Sequence, residues 1–256
     1  MCYDVSFTVE IKQLSDYFPD LIFDEQLEIN YDGTHIIGHL YSEQPIIYRN
    51  REDNKLHARM MEWGCIPYYV KDLETYKNQR ATMLNGRSER ILEDTKSYWH
   101  KIRNRRCLIP LSGFYEHRKV TGFTKKVPYF ITLKKQPLFF IPGLYSVAEI
   151  VDKETGEMVK YWSYTLITRG ANSVMKQIHN DGENKWRMPL LLPYEQSKKW
   201  LDEELSEEEY KTILDFEMPS DELNCIPVYT IRSPKMRPDG KAKSDYYEWD
   251  KLPMLT

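Results

Sequence analysis

The sequence predicts a single α+β domain with a mixed, mostly antiparallel and barrel-like β core flanked by short helices. Three observations carry that expectation. Short aromatic or β-branched runs bounded by turn residues outnumber the helical patterns. Strands and helices do not alternate as βαβ units would. The 19 Tyr, 9 Phe and 6 Trp bring the aromatic fraction to 13%, and these residues suit pleated, half-buried surfaces. The same excess could also supply stacking surfaces for sugars or bases.

In chain order, residues 8–18 place Ile11, Leu14 and Phe18 at helical spacing and stop before Pro19, which predicts a short amphipathic helix. Strand patterns follow at 35–41, 45–48, 107–110, 128–133, 138–141 and 161–167. Helical patterns return at 171–178, 194–203 and 206–216, the last opened by Ser206 and Glu209 as a capping box ahead of Tyr210, Ile213 and Leu214. A final strand-like run covers 225–229. The domain is expected over 1–230, with 231–256 a C-terminal tail that can pack on it. Within that tail, 231–248 carries Pro234, Pro238, Gly240 and several lysines and reads as flexible.

A length of 256 residues admits one large domain or two small ones. Net charge is −3 with a pI near 6.1, so any nucleic-acid contact has to be local. The basic clusters at 103–106, 117–119, 125–126 and 134–135 are candidates for it, or are solvated faces. The four cysteines, Cys2, Cys65, Cys107 and Cys225, contain no CxxC pair and no metal-ligand spacing. No metal, no cofactor and no disulfide are expected. No signal peptide and no apolar run of roughly 18 residues is present, so the expectation is a cytoplasmic protein without a membrane partner.

Five stretches could carry chemistry. Cys2 would become the N-terminus if Met1 were removed, presenting an α-amine and a thiol on adjacent carbons. Trp63-Gly64-Cys65-Ile66-Pro67 reads as a packed aromatic turn or as a site element. Asn85-Gly86-Arg87-Ser88-Glu89 could bring Asn85 and Arg87 to one face if extended. The run from Arg106 and Cys107 to Tyr115 and Glu116 delivers a carboxylate beside aromatics, where desolvation would raise its pKa and suit it to proton transfer. His179 is a candidate acid or base, or a structural histidine.

Taken in this order, Met1-Cys2, the tryptophan turn, the Asn85 to Glu89 segment, Arg105 to Glu116, Pro142-Gly143-Leu144-Tyr145, Thr168 with Ala171-Asn172, Ile178-His179 and Arg187-Met188-Pro189 resemble the SOS-response-associated peptidase (SRAP) family. The resemblance runs from residue 2 to about 230. It implies an abasic-site sensor that loses Met1 by its own action and links covalently to DNA through Cys2, in a DNA damage response. Carried over motif by motif, it implies Cys2 as nucleophile, with Asn85, Glu116 and His179 as its catalytic company. Arg87, Trp63, Arg106, Arg187, Met188 and Pro189 become DNA-facing or site-supporting. The implied partner is single-stranded DNA containing abasic sites, bound by a monomer acting on nucleoid DNA, with replication-fork proteins as further partners. A cysteine peptidase acting in trans through Cys2 and His179, and a non-catalytic DNA-binding domain, are the competing readings.

The sequence departs from the family pattern at several points. Tyr3-Asp4 stands where Gly-Arg is common, which puts an acid where a basic residue would face phosphate. His117 replaces a usual Trp, Gly86 a usual Ala and Arg90 a common Thr. Residues 181–186 separate Asn180 from Arg187 where many members have almost nothing.

Overall fold

The computed structural model describes residues 2–24, 27 and 33–256. Its strands are β1 (Asp4–Phe7), β2 (Ile22–Phe23), β3 (Gly33–Ile37), β4 (Glu43–Arg49), β5 (Leu56–Trp63), β6 (Asn85–Arg87), β7 (Arg106–Leu111), β8 (Gly113–Arg118), β9 (Val127–Leu133), β10 (Phe139–Val151), β11 (Met158–Gly170), β12 (Arg187–Pro189) and β13 (Leu223–Pro227). The α-helices are α1 (Leu14–Tyr17), α2 (Leu73–Arg80), α3 (Glu89–Leu92), α4 (Tyr98–Lys101), α5 (Ser173–Ile178), α6 (Tyr194–Trp200) and α7 (Glu207–Leu214).

Five strands close on themselves. The path β11-β10-β7-β4-β5 is antiparallel at each step, and β5 then pairs back to β11 in parallel through Ser163↔Glu62 and Tyr164↔Trp63. A ring with an odd number of strands cannot be antiparallel throughout, so one parallel seam is required. Closure removes the free edges that an open sheet would expose. The second sheet, in the order β13-β9-β8-β1-β3, branches off at Ser112, whose N–H bonds Ser6 O at 2.8 Å.

The core explains the aromatic excess. Trp63, Trp200, Tyr48, Tyr164, Phe7, Phe114, Phe139 and Phe140 are all fully buried, each worth about 1.5–3 kcal/mol of transfer free energy. The capping box at the start of α7 forms as expected, with Ser206 and Glu209 bonding reciprocally. Other expectations are modified. The run at 35–41 is strand only to Ile37 and then turns through a 3-10 segment, Gly38–Leu40. There Gly38 lies against Trp63, and a Cβ would stand 3.2 Å from the indole. The pattern at 8–18 divides into a 3-10 turn and α1, while Ile11, Leu14 and Phe18 are all buried as their spacing implies.

β5 gave no strand signal because charged residues interrupt its apolar pattern. In the fold Asp24 bonds His57 Nδ1 at 2.8 Å and Arg59 Nε at 2.6 Å, which lets a central strand carry them. Residues 231–248 also differ from expectation. They lack regular structure but are tied down by Arg237, only 5% exposed, which donates to the carbonyls of Asp245 and Tyr246, each at 2.7 Å. Trp249 Nε1 closes the loop onto Val228 O at 3.0 Å.

Gly143 sits where β10 is clamped between β7 and β11. An added Cβ would lie 2.5 Å from Ile109 Cδ1 and 2.6 Å from Thr165 O. Gly143→Ala is therefore expected to destabilise the domain by about 1–3 kcal/mol, lowering Tm by roughly 2–4 °C per kcal/mol. Thermal unfolding with no decrease in Tm would contradict this packing.

Candidate active site

The site begins with β1. As a middle strand it pairs with β3 on one side and β8 on the other, with Asp4 opposite Ile37 and Tyr115, and Gly38 N–H bonds Tyr3 O at 2.8 Å. The strand carries Cys2 into the interior, where it is 0% exposed. Its Sγ donates to Asp4 O at 3.7 Å. Burial pushes the thiol pKa well above its ordinary value, and the Glu116 and Asp4 carboxylates push it the same way.

β6 lies parallel to β11 with Asn85 opposite Leu166. From there Asn85 Nδ2 donates to Cys2 O at 2.9 Å. Asn85 Oδ1 is buried and bonds to nothing among the described residues, an open acceptor that costs roughly 1–3 kcal/mol until something donates to it. β8 delivers Glu116, which accepts His117 N–H at 3.1 Å. Burial raises the Glu116 pKa to about 7.

His179 ends α5, and its Nδ1 lies 4.0 Å from Glu116 Oε2. Burial lowers its pKa to about 4. Nδ1 is 2.8 Å from Arg187 O and 3.4 Å from Arg187 N. A carbonyl can only accept, so the shorter contact places the proton on Nδ1 and leaves Nε2 as a lone-pair acceptor. Tyr3, Asp4, Glu116, His117, Lys126 and His179 face a cavity of about 390 Å³, closed on its far side by Asp181 to Asn184.

The sequence-predicted residues divide into two groups. Cys2, Asn85, Glu116 and His179 converge. Arg87 stands beside them, its Nη2 bonding Asn184 Oδ1 at 3.0 Å. Arg187 donates to Glu89 Oε2 at 3.0 Å and to Thr168 O at 2.8 Å, a fork that staples the 85–89 segment to β12. Burial would raise the Glu89 pKa, but this guanidinium holds it below its usual value.

The others lie apart from this group. Trp63 is fully buried, donates through Nε1 to Leu84 O at 2.8 Å and stacks on Tyr164. Met188 is 1% exposed and Pro189 is buried, so both are core residues of β12. Arg106 caps the C-terminus of α6 through the carbonyls of Trp200, Asp202 and Glu203, and it lines a separate cavity.

Sequence reasoning missed His35 and Arg232, and it placed Lys126 only within the basic cluster at 125–126. Asp4 was expected to face phosphate, but it is 3% exposed and bonds His35 Nε2 at 2.9 Å and Arg232 Nη2 at 2.6 Å. The inserted Asp181 pairs with Lys119 at 3.1 Å and Lys126 at 3.0 Å. None of these contacts has a local sequence signature. Among the described residues no cluster of His, Cys, Asp and Glu could hold a metal, and no helix is long and apolar enough to cross a membrane.

A family model described as SOS response associated peptidase (SRAP) matches residues 1–231. The chain belongs to the SRAP family. Abasic site processing protein YoaM of Bacillus subtilis is 31% identical over 177 residues, covering 68% of this chain and 70% of that protein. Abasic site processing protein HMCES of Rattus norvegicus is 28% identical over 162 residues, covering 56% of this chain and 44% of that one. An X-ray structure of a Bacteroides thetaiotaomicron protein matches with a TM-score of 0.72 at 27% identity, covering 95% of this chain and 97% of the other. One from Bordetella bronchiseptica, with a TM-score of 0.67 at 20% identity, covers 90% and 100% and shares the fold.

The raised Glu116 pKa gives this SRAP domain a defined pH dependence. The folded state holds the proton more tightly than the unfolded chain, so this contribution to stability is complete below the ordinary glutamate pKa of about 4.3. It is lost as pH rises through the folded value of about 7. Glu116→Gln cannot ionise. Its stability advantage over wild type is expected to grow from near zero at low pH to about 3 kcal/mol above neutrality. Denaturant unfolding at several pH values measures it, and a pH-independent difference would refute the raised pKa.

Proposed function

We propose that the protein captures abasic sites in single-stranded DNA by forming a covalent link through Cys2 after removal of Met1, which lies outside the described residues. The observation that carries this reading is that Asn85 bonds the backbone of Cys2 and Glu116 acts on its thiol, while Glu116 and His179 lie 4.0 Å apart and line the adjoining cavity. The similarity to proteins named for abasic site processing supports it.

The chemistry follows from the aminothiol. A free α-amine has a pKa near 7.7–8.0, and a buried setting favours its neutral, nucleophilic form. It adds to the aldehyde of the ring-opened abasic sugar to give a carbinolamine, which loses water to become a Schiff base. The thiol then adds to the imine carbon and its proton passes to nitrogen, closing a five-membered thiazolidine. One water leaves in total, and no electrons change hands.

With a pKa about 7, Glu116 takes a proton from the attacking amine and returns one to the departing hydroxyl. Of the two roles open to it, acid or base, a neutral imidazole protonated at Nδ1 suits His179 to accept a proton at Nε2. It accepts the proton of the anomeric hydroxyl as the bond from the anomeric carbon to the ring oxygen breaks, and the imidazolium so formed returns a proton to that oxygen, which leaves as a hydroxyl. Asn85 Oδ1 offers an acceptor for the amine N–H of a freed Cys2. An abasic nucleotide enters such a cavity at low cost because it has no base to unstack.

Peptidase action in trans would pair a thiolate with an imidazolium. Burial moves the Cys2 thiol up and the His179 imidazole down, away from both charged forms. No feature of the site favours that reading.

Intact-mass measurement is expected to find the purified protein lighter by one methionine. Incubation with single-stranded DNA containing an abasic site should give a complex that survives denaturation. Cys2→Ala should abolish it, whereas Cys2→Ser, which keeps the amine, should need borohydride to trap its Schiff base. Full yield with Cys2→Ala would sink the assignment of the nucleophile.

A further inference from the structure

The cavity holds a cation that no family motif supplies. Arg232 is the first residue after the segment matched by the SRAP model, which ends at 231, and it lines the same cavity as Glu116 and His179. Its Nε donates to Asp4 Oδ1 at 2.9 Å and its Nη2 to Asp4 Oδ2 at 2.6 Å. Asp4 is further held by His35 Nε2 at 2.9 Å. The two partners differ sharply in exposure, with the Asp4 side chain at 4% and that of Arg232 at 47%. Both residues line the cavity, and Arg232 is the far more exposed end of the pair.

We propose that Arg232 is a phosphate ligand for the DNA strand, one edge of its guanidinium fixed by Asp4 and the other binding a phosphodiester next to the abasic nucleotide. A guanidinium has five N–H donors in a rigid fork, and the fork matches phosphate geometry. The Nε and Nη2 edge is committed to Asp4, while Nη1 bonds to no protein group among the described residues. Neighbouring cations are engaged otherwise, Lys126 by Asp181 and Arg87 by Asn184. Because Asp4 lies two residues from Cys2 on a strand paired on both sides, the guanidinium is held at a fixed place relative to the nucleophile. The chain thus keeps a cation at this position, although its own residue 4 is acidic.

The proposal rests on the single-strand reading above, and the test separates the two. Reversible binding is measured across a salt series with a single-stranded oligonucleotide carrying a tetrahydrofuran abasic analogue, which has no aldehyde. Arg232→Gln is expected to reduce the magnitude of the slope of log K against log salt by about 0.7, the loss of one phosphate contact on a single strand. Arg232→Lys should restore the slope, since it keeps the charge and loses only the fork. An unchanged slope in Arg232→Gln, or an equal loss in Arg232→Lys, would overturn the assignment, the latter pointing to a structural role in holding the C-terminal segment. Absence of any wild-type binding would overturn it as well. Covalent capture is read separately with an aldehyde-bearing strand. A wild-type failure there would refute capture while leaving the slope comparison intact, and full capture with an unchanged Arg232→Gln slope would refute the role of Arg232 alone.

Discussion

The pairing of β1 on both its edges is the constraint on which the site depends. A chain terminus normally frays, because its backbone groups can bond to water as well as to protein. Here β3 and β8 take both edges, Gly38 holds Tyr3 O, and Asn85 holds Cys2 O from a third element. Residue 2 is therefore as fixed as a core residue. The proposed amine and aldehyde chemistry depends on such fixing, because positioning of reacting groups supplies much of the barrier reduction in reactions of this kind. The barrel makes this possible at a distance: β11 carries β6 beside it, and β7 runs into β8 through Ser112, so the residues meeting Cys2 come from a closed and rigid frame.

Burial sets the protonation states as well as the positions. It raises the Cys2 thiol, raises Glu116 to about 7 and lowers His179 to about 4. Each shift favours the neutral form, which is what a low-dielectric site imposes on groups lacking a strong opposite charge. Near neutral pH the site then holds a thiol, a carboxyl group close to half ionised and an unprotonated imidazole. That set suits proton traffic between neutral partners. Asp4 is the contrast: it is equally buried, yet its pKa is lowered, because hydrogen bonds from His35 and Arg232 outweigh desolvation.

Much of this was legible from residue types and spacing. Strand and helix patterns placed most elements, and Cys2 and the three residues brought near it, Asn85, Glu116 and His179, were all named from their motifs. Two kinds of feature were not legible. The first is which way a motif residue points: Trp63, Met188 and Pro189 occupy motif positions because the barrel packs on them, and a sequence does not distinguish a residue retained for packing from one retained for contact. The second is pairing across long separations. Asp4 and Arg232 are 228 residues apart, and Arg187 and Glu89 are 98 apart. No periodicity encodes such pairs. β5 was hidden for a related reason, since the partners that neutralise His57 and Arg59 lie on another segment.

These long-range pairs also account for where the sequence departs from its family. Asp4, His117 and the inserted Asp181 to Asn184 all line one cavity, while Cys2, Asn85, Glu116 and His179 keep the family residue types. An acid at position 4 would be a buried, uncompensated charge if it were changed alone, a costly arrangement. It is tolerated here because His35 and Arg232 bond it on both oxygens. The insertion is anchored in the same way, through Lys119 and Lys126 on Asp181 and Arg87 on Asn184. Asp4 and the insertion thus each have partners contributed by another part of the chain. One wall of the cavity is held by these long-range pairs, beside Cys2, Asn85, Glu116 and His179.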